Sequence, residues 1–372
     1  MRVPFGYLRT ADNVNITDQG KPVPRAGYGL DTAGSISGAY ATLDHQRLYY
    51  VDAGALKAKG GPTTIRTGLN SARMTWAEVN QQVFFTNGID SGIIEADHSL
   101  LPWSWTPPRA PSVAVVTGSL PAGKYDVCCT HVLPDGRETG AGEAVSLDIA
   151  NGQALQVSGI PQLAGGTTRT YLAPANSTEY QLMYSGTQSA IVWDSSPENL
   201  GEELHTDGLD PLPSGVSVIQ EWRGRMYAAL YSGGDSAIFP SEPLGFHLFD
   251  LSDGGYIPVK GQVLMLAPTE EALIIGTDRA IHAWDGVTLK PLAAYGVVAG
   301  WACALDDDDE GKAFFWTTRG LCRALPFTNL TSSHLRVAPG IQAGAAVVAL
   351  GGQKHFVACL HAGGSAFNAR SA

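Results

Sequence analysis

The chain has 372 residues, 44% of them hydrophobic and 16% charged, with 44 Gly and 22 Pro; this is the profile of a globular protein built from short strands and tight turns. Its 24 Lys and Arg against 35 Asp and Glu give a formal charge of -11, and no run of five basic residues occurs, which excludes tight binding to nucleic acid through clustered cations. The five cysteines, Cys128, Cys129, Cys303, Cys322 and Cys359, contain no C-x-x-C, so neither a disulfide scaffold nor a zinc site is indicated; they read as small buried hydrophobes of a protein folding in a reducing cytoplasm.

In chain order, the opening is polar and extended, and the alternation of Val14 and Ile16 fits an edge strand able to close a ring by pairing with strands near the C-terminus. Two hairpin repeats follow. Their apolar beats are Arg47-Leu-Tyr-Tyr-Val51 and Gln82-Val-Phe-Phe-Thr86, the second running into an Asn87-Gly88 turn signal. The apolar spacing between Leu69 and Val79 suits a short helix and a strand equally well.

From Trp103 the composition changes. Pro107, Pro108 and Pro111 make a stiff linker, and the strands behind it lengthen: residues 112–117, 123–132, 144–149, 154–157, 168–172 and 179–184. Six strands with turn signals between them predict a β-sandwich of the immunoglobulin or fibronectin type III kind. It ends at a second proline-bearing junction near Pro211 and Pro213.

The beat then resumes at Arg225-Met-Tyr-Ala-Ala229, Ala272-Leu-Ile-Ile-Gly276, Lys312-Ala-Phe-Phe-Trp316 and Lys354-His-Phe-Val-Ala358. With the long interruption removed, the period is about 40 residues, the length of one four-stranded propeller blade. The predicted fold is all-β: a β-propeller formed by residues 1–107 and 214–372, with the sandwich of residues 108–213 inserted between blades. No secretory signal pattern is visible, and no run of about 18 apolar residues is present to span a bilayer.

Candidate chemistry is sparse. The Ser-x-Asp-x-Gly-x-x-Trp signature of sialidase-like propellers is absent, and Asp44, Glu78 and Glu221 read as turn or surface acids. The nine histidines form no metal-binding spacing; His282 and His355 sit on predicted strands as hydrogen-bonded structural residues. Ser232-Gly-Gly-Asp-Ser236 lacks the P-loop Lys and reads as a hairpin tip. The densest charge is Asp306, Asp307, Asp308, Asp309 and Glu310, without the spacing of a calcium loop; it reads as a solvated loop, facing either a lumen or an interface. Trp103 and Trp105, beside the linker, are the candidate interface anchors. No enzyme activity and no cofactor is expected.

Several segments together resemble a family. Ala11-Asp-Asn-Val-Asn-Ile-Thr-Asp-Gln-Gly-Lys-Pro-Val-Pro-Arg-Ala-Gly-Tyr28 resembles the opening of virion structural proteins of tailed phages. Trp222-Arg-Gly-Arg-Met-Tyr-Ala-Ala229 and Phe239-Pro-Ser-Glu-Pro-Leu-Gly-Phe-His-Leu-Phe249 resemble one blade of those proteins, and residues 276–286 and 313–322 resemble further blades. The resemblance implies a tail hub or nozzle protein of a short-tailed phage. Such a protein forms a ring, commonly a hexamer, below the portal and adaptor, retains and conducts the packaged double-stranded DNA without specific binding, and offers attachment to tail fibres or spikes. The implied location is the virion, after synthesis in the bacterial host. The acidic balance suits a conduit that must not hold DNA. The alternative is a lectin-like, carbohydrate-binding propeller or receptor-binding surface protein.

Overall fold

The computed structural model describes residues 14–16, 21–24, 34–61, 64–298, 303–306, 312–331, 338–350 and 353–361. Among these residues the regular structure is β, apart from one 3-10 turn at Pro197–Asn199, and no helix is long and apolar enough to cross a membrane.

Six antiparallel sheets repeat in order along the chain in a propeller-like array. Blade I holds Ile36–Ala41, Leu48–Asp52 and Ala55–Lys59; blade II holds Thr75–Val79, Gln82–Thr86, Ser91–Ile94 and Leu100–Leu101. Blade III holds Val216–Trp222, Arg225–Ser232 and Asp235–Glu242, with Gly245–Phe249 and Ile257–Lys260 sharing its outer edge. Blade IV runs Val263–Pro268, Leu273–Thr277, Ile281–Trp284 and Leu289–Ala293; blade V runs Cys303–Asp306, Lys312–Thr317, Gly320–Ala324 and Thr328–Asn329. Blade VI is the pair Gln342–Leu350 and Gln353–His361.

The periodic beat of the sequence is the second strand of every blade. In blades II and IV that strand has a neighbouring blade on each face, so both sets of its alternating side chains are buried. In Gln82–Thr86, Val83 and Phe85 pack with Tyr49 and Leu56 of blade I, whereas Phe84 joins Met226 and Phe249 of blade III. In Leu273–Thr277, Leu273 and Ile275 meet Trp222 and Ile238 of blade III, whereas Ile274 meets Phe315 of blade V. Full burial of each such side chain is worth about 1.5–3 kcal/mol, which is why these strands read as continuous apolar runs.

First strands line up across the blades: Val216–Trp222 lies against Thr75–Val79 on one side and Val263–Pro268 on the other. Side-chain hydrogen bonds fix the seams. Thr75 and Thr86 donate to the Ser217 and Val216 carbonyls at 3.1 and 2.9 Å, and Trp222 Nε1 donates to the Thr269 carbonyl at 2.8 Å. Between the two ends of the array, Arg73 Nη2 donates to the Ala343 carbonyl at 3.0 Å.

One expectation changes and one open alternative closes. Val14–Ile16 pairs with Pro22–Pro24 in a separate two-stranded sheet rather than with a C-terminal strand, a local closure that costs less chain entropy than a long-range one. Within Leu69 to Val79 the regular element is the strand Thr75–Val79. The turn at Gly233 and Gly234 is the expected hairpin tip, with φ of +64° and +95° joining Ser232 to Asp235.

Between blades II and III stand two further sheets. One is Ser112–Leu120, Gln153–Ser158 and Ala190–Trp193; the other is Val145–Ile149, Gly123–Val132, Thr167–Ala173 and Gln181–Gly186. They enclose one core that includes Tyr125, Val127, Cys129, Leu155, Val157 and Leu172. Ala190–Trp193 is a seventh strand that the sequence pattern did not display, because its side chains stay exposed or half-buried.

Candidate functional site

Trp103, Arg137 and His247 gather where the two-sheet insertion meets the blades. In an antiparallel blade the turns between second and third strands lie on one face of the array, together with the connections from one blade to the next. The insertion therefore leaves and returns on that face, between Leu101 and Val216. The turns joining first to second and third to fourth strands lie on the opposite face.

The outgoing linker is held by Trp103. Its side chain is 1% exposed, its Nε1 donates to the Phe246 carbonyl at 2.8 Å, and its ring meets Phe84 edge-on at 5.1 Å between centroids. This corrects the expectation of an external anchor: Trp103 is fully engaged inside its own chain and offers no face to a partner. Trp105 is half-buried, with its Nε1 closed off from solvent and without a partner.

The insertion reaches back through the hairpin that follows Gly123–Val132. Pro134, Asp135 and Gly136, the last at φ +84°, turn the chain so that Arg137 faces the linker. Arg137 Nη2 donates to the Pro102 carbonyl at 2.8 Å and Nη1 to the Trp103 carbonyl at 3.4 Å, while Asp135 holds the guanidinium at 2.7 Å. Burial works against the Asp135 charge, but the Arg137 guanidinium outweighs it and keeps the carboxyl below its usual range.

One residue further, the Glu138 carbonyl accepts from His247 Nε2 at 2.8 Å, joining the insertion to the outer edge of blade III. Burial depresses the His247 pKa, and this bond opposes the shift. The Glu138 carboxylate accepts from Thr130, from the Tyr171 hydroxyl at 2.8 Å and from Arg169 at 2.9 Å, and Arg169 also pairs with Glu202 at 2.7 Å. Burial pushes the Tyr171 hydroxyl well above its ordinary pKa, so it stays a donor. The returning linker is held by a reciprocal backbone pair, in which Asp210 and Phe249 exchange two hydrogen bonds of 2.8 Å. Gly140 and Gly142 sit where a Cβ would run into the Leu209 and Pro108 carbonyls, so only glycine lets both linkers pass.

At this seam lies a cleft of about 210 Å³, lined by the hydroxyls of Thr86, Ser91, Ser104 and Ser214 and by the apolar Ile89 and Leu212. No charged or aromatic side chain lines it. Among the described residues no group of three or more His, Cys, Asp or Glu is placed to hold a metal ion. The arrangement holds two units together.

The remaining expected residues lie elsewhere. Asp306 ends the first strand of blade V and pairs with Lys312 across the turn; Asp307, Asp308, Asp309 and Glu310 lie outside the described residues. The exposed Glu270 and Glu271, in the turn between the first two strands of blade IV, are on the face opposite the insertion. Cys128, Cys129 and Cys322 are buried, but Cys359 is exposed, against the expectation of burial. His282 stands on its strand, yet its buried Nδ1 has no partner, so the expected hydrogen bond at that atom is absent. Arg137 and His247 were not singled out in the sequence; the Pro-Asp-Gly turn was the one local signal that pointed to the first.

No family model matches the chain, and no curated protein matches it. Solved structures align only distantly. The extracellular domain of the putative hybrid two component system BT4673 from B. thetaiotaomicron is 12% identical with a TM-score of 0.34, over 87% of this chain and 36% of that one; the chain thus spans about a third of that domain's length. The Dos1 propeller is 9% identical over 90% of this chain and 76% of its own, with a TM-score of 0.33. AztD from Citrobacter koseri is 12% identical over 94% and 97%, with a TM-score of 0.30. The propeller-like order of the blades therefore rests on the chain's own strand pairing and core.

Proposed function

We propose that the chain is a non-enzymatic structural protein of a virion, a hub or nozzle component of a short-tailed phage tail, in which the insertion is an immunoglobulin-like docking arm. The observation that carries this reading is the seam. Trp103, Arg137, His247 and the Asp210–Phe249 bridge clamp the insertion to the outer edge of blade III, so that it moves with the blades as one part. The opposite face of the array stays clear of it. That face carries the exposed turn residues Leu43, Leu244 and Val287, at 70, 76 and 85% exposure, and the acidic turn at Glu270 and Glu271. Apolar tips among acids suit a ring component that meets neighbouring subunits and borders DNA without holding it. The segments that resemble phage tail proteins supply the particular assembly.

The test is immunogold electron microscopy of phage particles with an antibody raised against the chain. Gold confined to the tail tip is the expected result; unlabelled particles with antigen free in the lysate would sink the reading. In that case the lectin-like alternative comes forward, with the hydroxyl-lined cleft as its site, and a glycan array is the next measurement.

A further inference from the structure

Among the described residues, blade VI shows two strands. Blades II, IV and V each have four strands, whereas Gln342–Leu350 and Gln353–His361 stand as a pair. Its inner strand lies against the first strand of blade V, and Ala343 and Leu360 pack on Trp316. The outer edge of Gln353–His361 has no strand partner among the described residues.

The direction of the backbone groups on that edge follows from one bond. The His361 carbonyl accepts from the Ile341 N–H at 2.8 Å, so it faces the inner strand. Strand residues alternate in the edge to which they present N–H and C=O, so Val357 and Cys359 also bond inward, whereas Phe356, Ala358 and Leu360 present theirs outward. An unpaired row of this length is a template for another strand.

Among the described strands, the N-terminal hairpin is a poor match. Its strands are three residues each, against nine in the edge, and Pro22 and Pro24 have no N–H to give. The same strand in a second copy matches it in length and in the spacing of its outward groups. We propose that two copies of this chain pair through Gln353–His361, antiparallel about a two-fold axis at Val357, and so complete a four-stranded sheet shared between them. The pairing sets each outward N–H opposite an outward C=O. It also covers Val357, which is 42% exposed in the single chain, with Val357 of the partner subunit. This contact goes beyond the tail reading and does not depend on it.

The test uses the full chain. Sedimentation over a concentration series is expected to show a dimer, and amide exchange at Phe356, Ala358 and Leu360 is expected to slow as it forms. Ala358→Pro removes an outward N–H while leaving the inward ladder intact, and is expected to weaken dimerisation by at least about tenfold. A spin label on Cys359 is expected to report a backbone separation of about 13 Å across the two-fold, four residues along the strands. A chain that stays monomeric overturns the proposal. So does an oligomer, a ring included, in which those three amides exchange as fast as in the monomer; that result would leave the tail reading standing. Exchange in the unaltered chain decides the matter even if Ala358→Pro fails to fold.

Discussion

Replacing Trp103 tests whether the insertion is clamped or merely tethered. The indole is 1% exposed, meets Phe84 at 5.1 Å and satisfies the Phe246 carbonyl at 2.8 Å. Trp103→Phe keeps an aromatic ring but leaves that buried carbonyl without its donor, a cost of about 1–3 kcal/mol. Trp103→Ala also removes the ring, and truncations of this kind cost about 3–5 kcal/mol because the surroundings relax only in part. The assay has two readouts: urea unfolding, and trypsin cleavage after the exposed Arg109 in the native protein. Cleavage reports local opening of the linker. The expected order is Trp103→Ala, then Trp103→Phe, then the unaltered chain, in both instability and cleavage rate. Since 1.4 kcal/mol is a factor of ten, the alanine variant should open at least about a hundredfold more often. A cost below about 1 kcal/mol, with unchanged cleavage after Arg109, would refute the clamp.

Acid should loosen the same seam. Burial lowers the pKa of His247, His131 and His282 below the ordinary value of about 6.5, so the unfolded chain binds protons that the folded one refuses. Their stabilisation is complete above about pH 6.5 and falls as the pH drops below it. His247→Gln, which can still donate to the Glu138 carbonyl, should flatten the fall in urea midpoint between about pH 6.5 and 5. An unchanged slope would remove His247 from the explanation. Thiol labelling separates the cysteines: burial pushes Cys128 up to about 12 and Cys129 up to about 11, and raises Cys322 as well. Iodoacetamide at pH 8 should modify Cys359 in the native protein and reach those three only in denaturant, as read by mass spectrometry. Native labelling of Cys128 would contradict its burial.

The parts of the fold that could be read in the sequence are those whose burial is two-sided. Gln82–Thr86 and Leu273–Thr277 have apolar blades on both faces, so each leaves an unbroken apolar run, and such runs recur with the period of a blade. Outer strands such as Leu100–Leu101 and Thr328–Asn329 are two residues long and only partly buried, too little to make a pattern. The seam was legible only as composition. Proline marked both linkers, but Trp103 could not be told from an external anchor, because the carbonyl it serves lies 143 residues away. His247 shows no signal at all: its partner is a backbone oxygen, and backbone oxygens carry no residue signature.

The way the insertion is attached decides where a mechanical load would go. A pull on the two-sheet unit reaches the blades through the Asp210–Phe249 bridge and the Trp103 and His247 contacts, all of which engage the outermost strand of blade III. In blade III the first strand, which carries the blade-to-blade register, sits three strands inward from that grip. Force applied to the arm would therefore strip the rim of one blade before it disturbed the centre, so the central array would keep its shape while whatever hangs from the arm is tugged or torn away.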